Sequence, residues 1–187
     1  MTLHAGLFVA EGSSDAPLAG LVTDLFAEHG VRVRLQEPDF TWLKLAKDVR
    51  SKVRAGIELA KTDFDVVVVH RDADNAGPDS RVQEISRAVA AEAGAAQVVP
   101  VVPVRMTEAW LLLDEAAIRR VAGNPNGRIG LKLPKAHEVE SVADPKHVLR
   151  QCLLTAAECT GRRREQLPGA SMSIVATCFN GSIRKGR

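Results

Sequence analysis

The chain has 187 residues, 45% of them apolar and 26% charged, the balance of a soluble globular protein rather than of a disordered or collagen-like one. Tyrosine is absent and aromatic residues total 4%, too few for a sheet that stacks successive bases of a single strand. The formal net charge of +2 names no acidic partner, so any nucleic-acid surface has to be local.

The opening MTLHAGLFVAEGSSD has no basic segment followed by a long apolar run. No stretch approaches the ~20 apolar residues of a membrane span, so the expectation is a cytoplasmic protein without a membrane partner. Leu3 to Ala10 reads as a strand closed by Glu11-Gly12; Ser13, Ser14 and Asp15 then offer helix-capping side chains just before Pro17. A helix follows from about Pro17 to His29, stopped by Gly30, and Val31 to Gln36 alternates as a second strand. From Trp42 to Lys61 the residues Ala46, Val49, Val53, Ile57 and Ala60 recur at spacings of three and four, the stripe of an amphipathic helix. Val66 to His70 is the third strand and Ser80 to Ala93 the third helix, broken by Gly94. Gln97 to Val104 (QVVPVVPV) is a fourth strand whose Pro100 and Pro103 suit an edge or bulges. Beyond it, Thr107 to Leu113 reads as a short buried helix capped by Thr107, and Asp114 caps another ending near Ala122. Gly123 to Leu133 is a loop by composition, Asp144-Pro145 starts a helix reaching about Thr160, and the tail from Gly161 loses periodicity and is expected to be loosely held.

Strands alternating with helices predict an α/β fold, a mostly parallel four-stranded sheet flanked by helices, Rossmann-like, over residues 1–106. Residues 107–187 are expected to form a helical and loop-rich extension packed on that core. In such sheets ligands gather outside the carboxyl ends of the strands. Two acidic motifs fall there: Glu11 and Asp15 (E-x-x-x-D) after the first strand, and Asp72 and Asp74 (D-x-D) after the third. Adjacent carboxylates repel, and a hard divalent cation, Mg²⁺ or Mn²⁺, turns that repulsion into attraction. Two such ions can hold the attacking and leaving oxygens of a phosphodiester in line. Ordinary structural roles stay open beside this one. Asp15 and Ser14 also suit helix caps, and D-A-D-N suits a turn. Glu11, a carboxylate at the end of an apolar strand and followed by glycine, has the least evident structural reason.

The segments LFVAEGSSDAPLAGLV and VVVVHRDADN resemble the two metal-binding motifs of TOPRIM domains, found in topoisomerases, bacterial primases and the overcoming-lysogenization-defect nucleases. The E-x-x-x-D form lies nearer the nuclease branch, and VRMTEAWLLLD (Val104 to Asp114) is similar to small bacterial TOPRIM-like proteins. The resemblance spans about residues 3 to 114. It implies a TOPRIM-like fold, Glu11 as general acid/base or metal ligand, and Asp72 and Asp74 as metal ligands. It further implies a metal-dependent nuclease acting on DNA or RNA, in a defence or toxin setting with an operon-encoded ATPase or other partner. A non-catalytic binding or regulatory module of the same fold is the alternative. The chain has no tyrosine, so strand passage through a tyrosyl linkage is excluded.

Glu108 is a further candidate ligand, explained equally by the dipole of the short helix it begins. Trp110 reads as core or as the wall of a groove. His70 is a satisfied strand-end histidine or a proton shuttle; Arg71 neutralises the carboxylates or holds a phosphate. Lys44, Lys47, Arg50 and Arg54 line a helix face that is either solvated or a path for nucleic acid, and Arg162, Arg163 and Arg164 add charge later. Lys132 and Lys135 are candidates for stabilising transition-state charge. Cys152, Cys159 and Cys178 lack C-x-x-C spacing, so buried thiols are expected rather than a disulfide framework or zinc site.

Overall fold

The computed structural model describes residues 2–158. Cys159, Cys178, Arg162, Arg163, Arg164, the expected last turn near Thr160 and the tail from Gly161 lie outside the described residues. Two compact units divide between Val104 and Arg105.

The first unit is an α/β layer structure. Its strands β1 (Leu3–Val9), β2 (Arg32–Gln36), β3 (Val66–His70) and β4 (Gln97–Val101) form one sheet in the order β2-β1-β3-β4, every pairing parallel. β3 is buried at all five residues, as expected of a continuous valine run covered on both faces. β4 lies at an edge, where Pro100, which has no N–H to donate, pairs with Val69 on one side only. Gly6 lets β1 lie between its neighbours: a Cβ there would stand 2.5 Å from Leu35 Cδ2, 2.8 Å from Val33 Cγ1 and 3.0 Å from Val66 Cγ1.

Helices α1 (Leu18–Glu28), α2 (Val49–Ala60) and α3 (Pro78–Glu92) provide the crossovers. Leu7 and Val9 of β1 and Val67 and Val69 of β3 face the same way by the two-residue period of a strand. They share a core with Val49 and Val53 of α2 and Ile85, Ala88 and Val89 of α3. Arg50 and Arg54 on α2 both bind Glu92 at the end of α3, with Arg54 Nη2 2.9 Å from Glu92 Oε1. The guanidiniums are more than half exposed while Glu92 is 11% exposed, and hydrogen bonds to Arg54 and Arg50 pull its carboxyl down to about pKa 2.

α2 begins at Val49, seven residues later than the stripe from Trp42 suggested. Asp48 is its cap: Oδ1 accepts from the Ser51 N–H at 2.8 Å and Oδ2 from the Ser51 hydroxyl at 2.7 Å. Ahead of it Trp42 is 87% exposed and Ala46 is exposed too, so Ala46 is not part of the buried stripe. A good cap outcompetes a weakly apolar extension.

The second unit holds α4 (Glu108–Leu111), α5 (Glu115–Val121) and α6 (Pro145–Ala156). Asp114 caps α5 through Ala117 N–H at 2.8 Å, and Asp144 caps α6 through His147 N–H at 2.9 Å. Thr107 makes no side-chain cap bond to α4. α6 contributes Leu149, Cys152 and Leu153 to the buried set, α5 Ile118. Cys152 is a buried free thiol whose pKa burial pushes up. Trp110 is half-buried, its indole N–H 3.4 Å from Glu140 Oε1. No described helix is long and apolar enough to cross a membrane.

Candidate functional site

The strand order determines where a site can form. From β1 the chain crosses outward to β2, whereas from β3 it crosses the other way to β4, so the loops leaving β1 and β3 diverge and open a crevice at their carboxyl ends. Glu11 and Asp15 lie on the first loop, Asp72 and Asp74 on the second.

The backbone beyond β3 is held as if the strand continued. Arg71 N–H donates to Val101 C=O at 3.1 Å and Ala73 N–H to Pro103 C=O at 3.0 Å, both toward the β4 side. The intervening Asp72 N–H points the other way, toward β1, and there the acceptor is a side chain: Glu11 Oε2 at 2.9 Å. Glu11 thus occupies the ladder position that the β1 backbone vacates on leaving the sheet, a structural reason its sequence context does not reveal. Asp15 also has one. Its Oδ2 accepts from Gly12 N–H at 2.9 Å while its own N–H donates to Gly12 C=O at 3.1 Å, closing the 3-10 turn Ser13–Asp15.

His70 joins the two loops. Its side chain is 1% exposed, with Nδ1 3.6 Å from Asp15 Oδ2 and Nε2 3.5 Å from Asp72 Oδ1. It is therefore buried between the two carboxylates at the end of β3. Among the described residues Asp72 Oδ1 is buried without a hydrogen-bond partner, an arrangement that costs free energy unless a cation or water completes it. Asp74 is exposed and has a left-handed backbone (φ 46°) at the start of the 3-10 turn Asp74–Ala76. Arg71 pairs with Glu84 on α3, its Nη1 3.1 Å from Oε1, and Arg81 holds the other oxygen at 2.8 Å.

Lys52 is a residue the sequence reading passed over. From the first turn of α2 its Nζ donates to Ala10 C=O at 3.2 Å and to Glu11 C=O, pinning the exit of β1. Burial lowers its pKa; Glu11 and Asp15 oppose that shift, and Arg71 and Lys47 add to it. A signal was present. In a β-α-β crossover each helix begins at the rim where the preceding strand ends, so a lysine three residues past Val49, beside the apolar stripe, faces that rim.

Next to Glu11 and Lys52 opens a cavity of about 520 Å³, walled by Phe8, Ala10, Pro38 and Phe40. Glu37 also lines it, and burial raises the pKa of its carboxyl.

The structure thus brings together Glu11, Asp15 and Asp72. Among the described residues no three His, Cys, Asp or Glu side chains converge as a ready-made metal-binding group. Glu108, Lys132 and Lys135 belong to the second unit. There Glu108 opens α4 in the position the helix dipole favours, Lys132 is exposed with φ 52°, and Lys135 is exposed and donates its backbone N–H to Glu138 Oε2 at 2.9 Å.

A family model described as a domain of unknown function, DUF4276, matches residues 10–166. The chain belongs to the DUF4276 family. The DUF4276 segment begins one residue before Glu11 and contains every candidate residue named above. No curated protein and no solved structure matches the chain.

Proposed function

We propose that this protein is a divalent-metal-dependent nuclease that hydrolyses phosphodiester bonds of DNA or RNA with Mg²⁺ or Mn²⁺, on a TOPRIM-like core. The observation that carries the proposal is the bond from Asp72 N–H to Glu11 Oε2: it joins the two acidic loops at the crevice where open α/β sheets bind ligands. Mg²⁺ demands no complete protein cage, being held by one or two carboxylates together with water and substrate phosphate oxygens. The donors available here fit that mode. Asp72 keeps its side chain 29% exposed at the rim, and Glu11 keeps its Oε1 beyond the oxygen engaged with backbone. When bound, the ion would supply charge neutralisation at the phosphoryl oxygens and an activated water. The chain's own residues have other tasks: Glu11 accepts a proton or a cation, His70 fills the space between Asp15 and Asp72, and Lys52 fixes the β1 exit.

A second reading, a non-catalytic binding module of the same fold, is favoured by one observation, the exposure of Asp74 on its own 3-10 turn. Purified protein should be incubated with plasmid DNA, single-stranded DNA and single-stranded RNA in Mg²⁺ or Mn²⁺, beside Asp72→Asn. Cleavage that requires the ion and disappears in the variant supports the nuclease. Binding without cleavage by either protein assigns the module.

A further inference from the structure

We infer that the cavity beside Glu11 is a nucleobase subsite that favours a base carrying an exocyclic amino group, cytosine, adenine or guanine, over uracil and thymine, from the strand being cleaved. The inference rests on the nuclease reading for what the site is used for, but it stands on its own features. The cavity of about 520 Å³ lies within the ~300–1,000 Å³ range of small-molecule sites. It shares Glu11 and Lys52 with the carboxylate rim, so a base seated in it places its own phosphate beside the acidic loops. Its walls are those a base requires. Ala10, Ala16 and Pro38 are apolar, and Phe40, half-buried and packed against the core, is a preorganised stacking face.

Charge selects the chemistry of the occupant. Against the single cation Lys52 the lining sets Glu11, Glu37 and Asp39. A bare phosphate or a carboxylate ligand is repelled from such a lining, while an amino group is welcomed. Thr41 engages Asp39 through its N–H, at 2.8 Å to Oδ1, and through its hydroxyl, and Glu11 faces the Asp72 N–H, which leaves Glu37 as the acceptor for the ligand. Cytosine and adenine present an N–H₂ donor on the edge where uracil and thymine present a carbonyl oxygen. A carboxylate acceptor at Glu37 therefore discriminates between the two pairs.

The test uses the full chain in Mg²⁺ with 5′-CMP, 5′-AMP, 5′-UMP and ribose 5-phosphate, by titration calorimetry. CMP and AMP should bind at least about fivefold tighter than ribose 5-phosphate, the least that stacking on an aromatic contributes, and tighter than UMP. Glu37→Ala should bring CMP to the UMP value. Ala16→Leu, which fills the cavity from a position of helical backbone, should weaken all three nucleotides; if that variant fails to fold, Glu37→Ala decides. Equal affinity for ribose 5-phosphate and CMP, or an unchanged preference for CMP over UMP in Glu37→Ala, overturns the subsite. Cleavage assayed in parallel separates the two readings: ion-dependent cleavage without base binding sinks the subsite alone, and base binding without cleavage sinks the nuclease alone.

Discussion

Glu11→Gln separates catalysis from scaffold, because the structure gives Glu11 a part in each. Its Oε2 accepts the Asp72 N–H at 2.9 Å in an exposed setting, and the glutamine carbonyl oxygen can accept the same bond from the same place. What changes is the charge. A hydrogen bond to an ionised group contributes ~1.5–3 kcal/mol and a neutral one ~0.5–1.5 kcal/mol, so about 1 kcal/mol is the upper end of the loss at an exposed site. Removing one carboxylate from a rim that also carries Asp15 and Asp72 offsets part of it. For a chain of this size that is a fall in Tm of no more than ~4 °C. The Lys52 contact survives, since it is made to the Glu11 backbone carbonyl. Activity behaves differently: an amide neither takes a proton nor binds a cation with full charge, and cleavage should fall by ~100-fold or more. The assay pairs thermal melting with cleavage of a labelled oligonucleotide in Mg²⁺. A variant that cleaves at the parent rate, or that melts more than 10 °C (roughly 3 kcal/mol) below it, refutes the assignment of Glu11 to chemistry.

Millimolar Mg²⁺ or Mn²⁺ should raise Tm by mass action, ~2.7 kcal/mol at a hundredfold excess over Kd; an equal rise in Asp72→Asn/Asp74→Asn would place the cation elsewhere. Lys52→Met keeps the apolar stem and removes both carbonyl contacts, so cleavage should drop ~10- to 100-fold through a misplaced Glu11, with normal rates in the variant ruling out the positioning role. Because burial lowers the Lys52 pKa below its unfolded value, the folded state holds fewer protons between the two values, and stability should rise with pH through that alkaline window; the Met variant should lack the rise. Glu92 follows the same sign in an acid window. Its carboxyl, lowered to about 2, contributes stability above its unfolded value near ~4.3 that is lost as pH falls toward 2, so Glu92→Gln should flatten the acid limb of a Tm-against-pH curve, and an unchanged limb would show that other groups set it.

The sequence by itself determined the element order and the sheet. The unbroken VVVVH run, the period-two strands and the glycine and proline punctuation are local signals, and each is decided by burial or by backbone geometry within a few residues. It also placed Glu11 and Asp72 at strand ends, and hence on one rim, since every strand of a parallel sheet ends on the same side. The start of α2 was legible only in part. Ala46 continues the stripe on paper, and the Asp48 cap that ends it is worth little until the residues before it have nothing to pack against. Tertiary structure alone decided the rest. That Glu11 accepts a hydrogen bond from Asp72, 61 residues away, depends on β1 and β3 being neighbours, which periodicity does not specify. The burial of His70 between Asp15 and Asp72, the turning of Arg71 to Glu84, and the use of Arg50 and Arg54 to bind Glu92 are choices among partners of like charge, and only distance in the folded chain makes them. Lys52 stayed hidden for the same reason: in sequence it is one cation among several on a helix, and its reach to the β1 carbonyls exists only once α2 has packed over that strand.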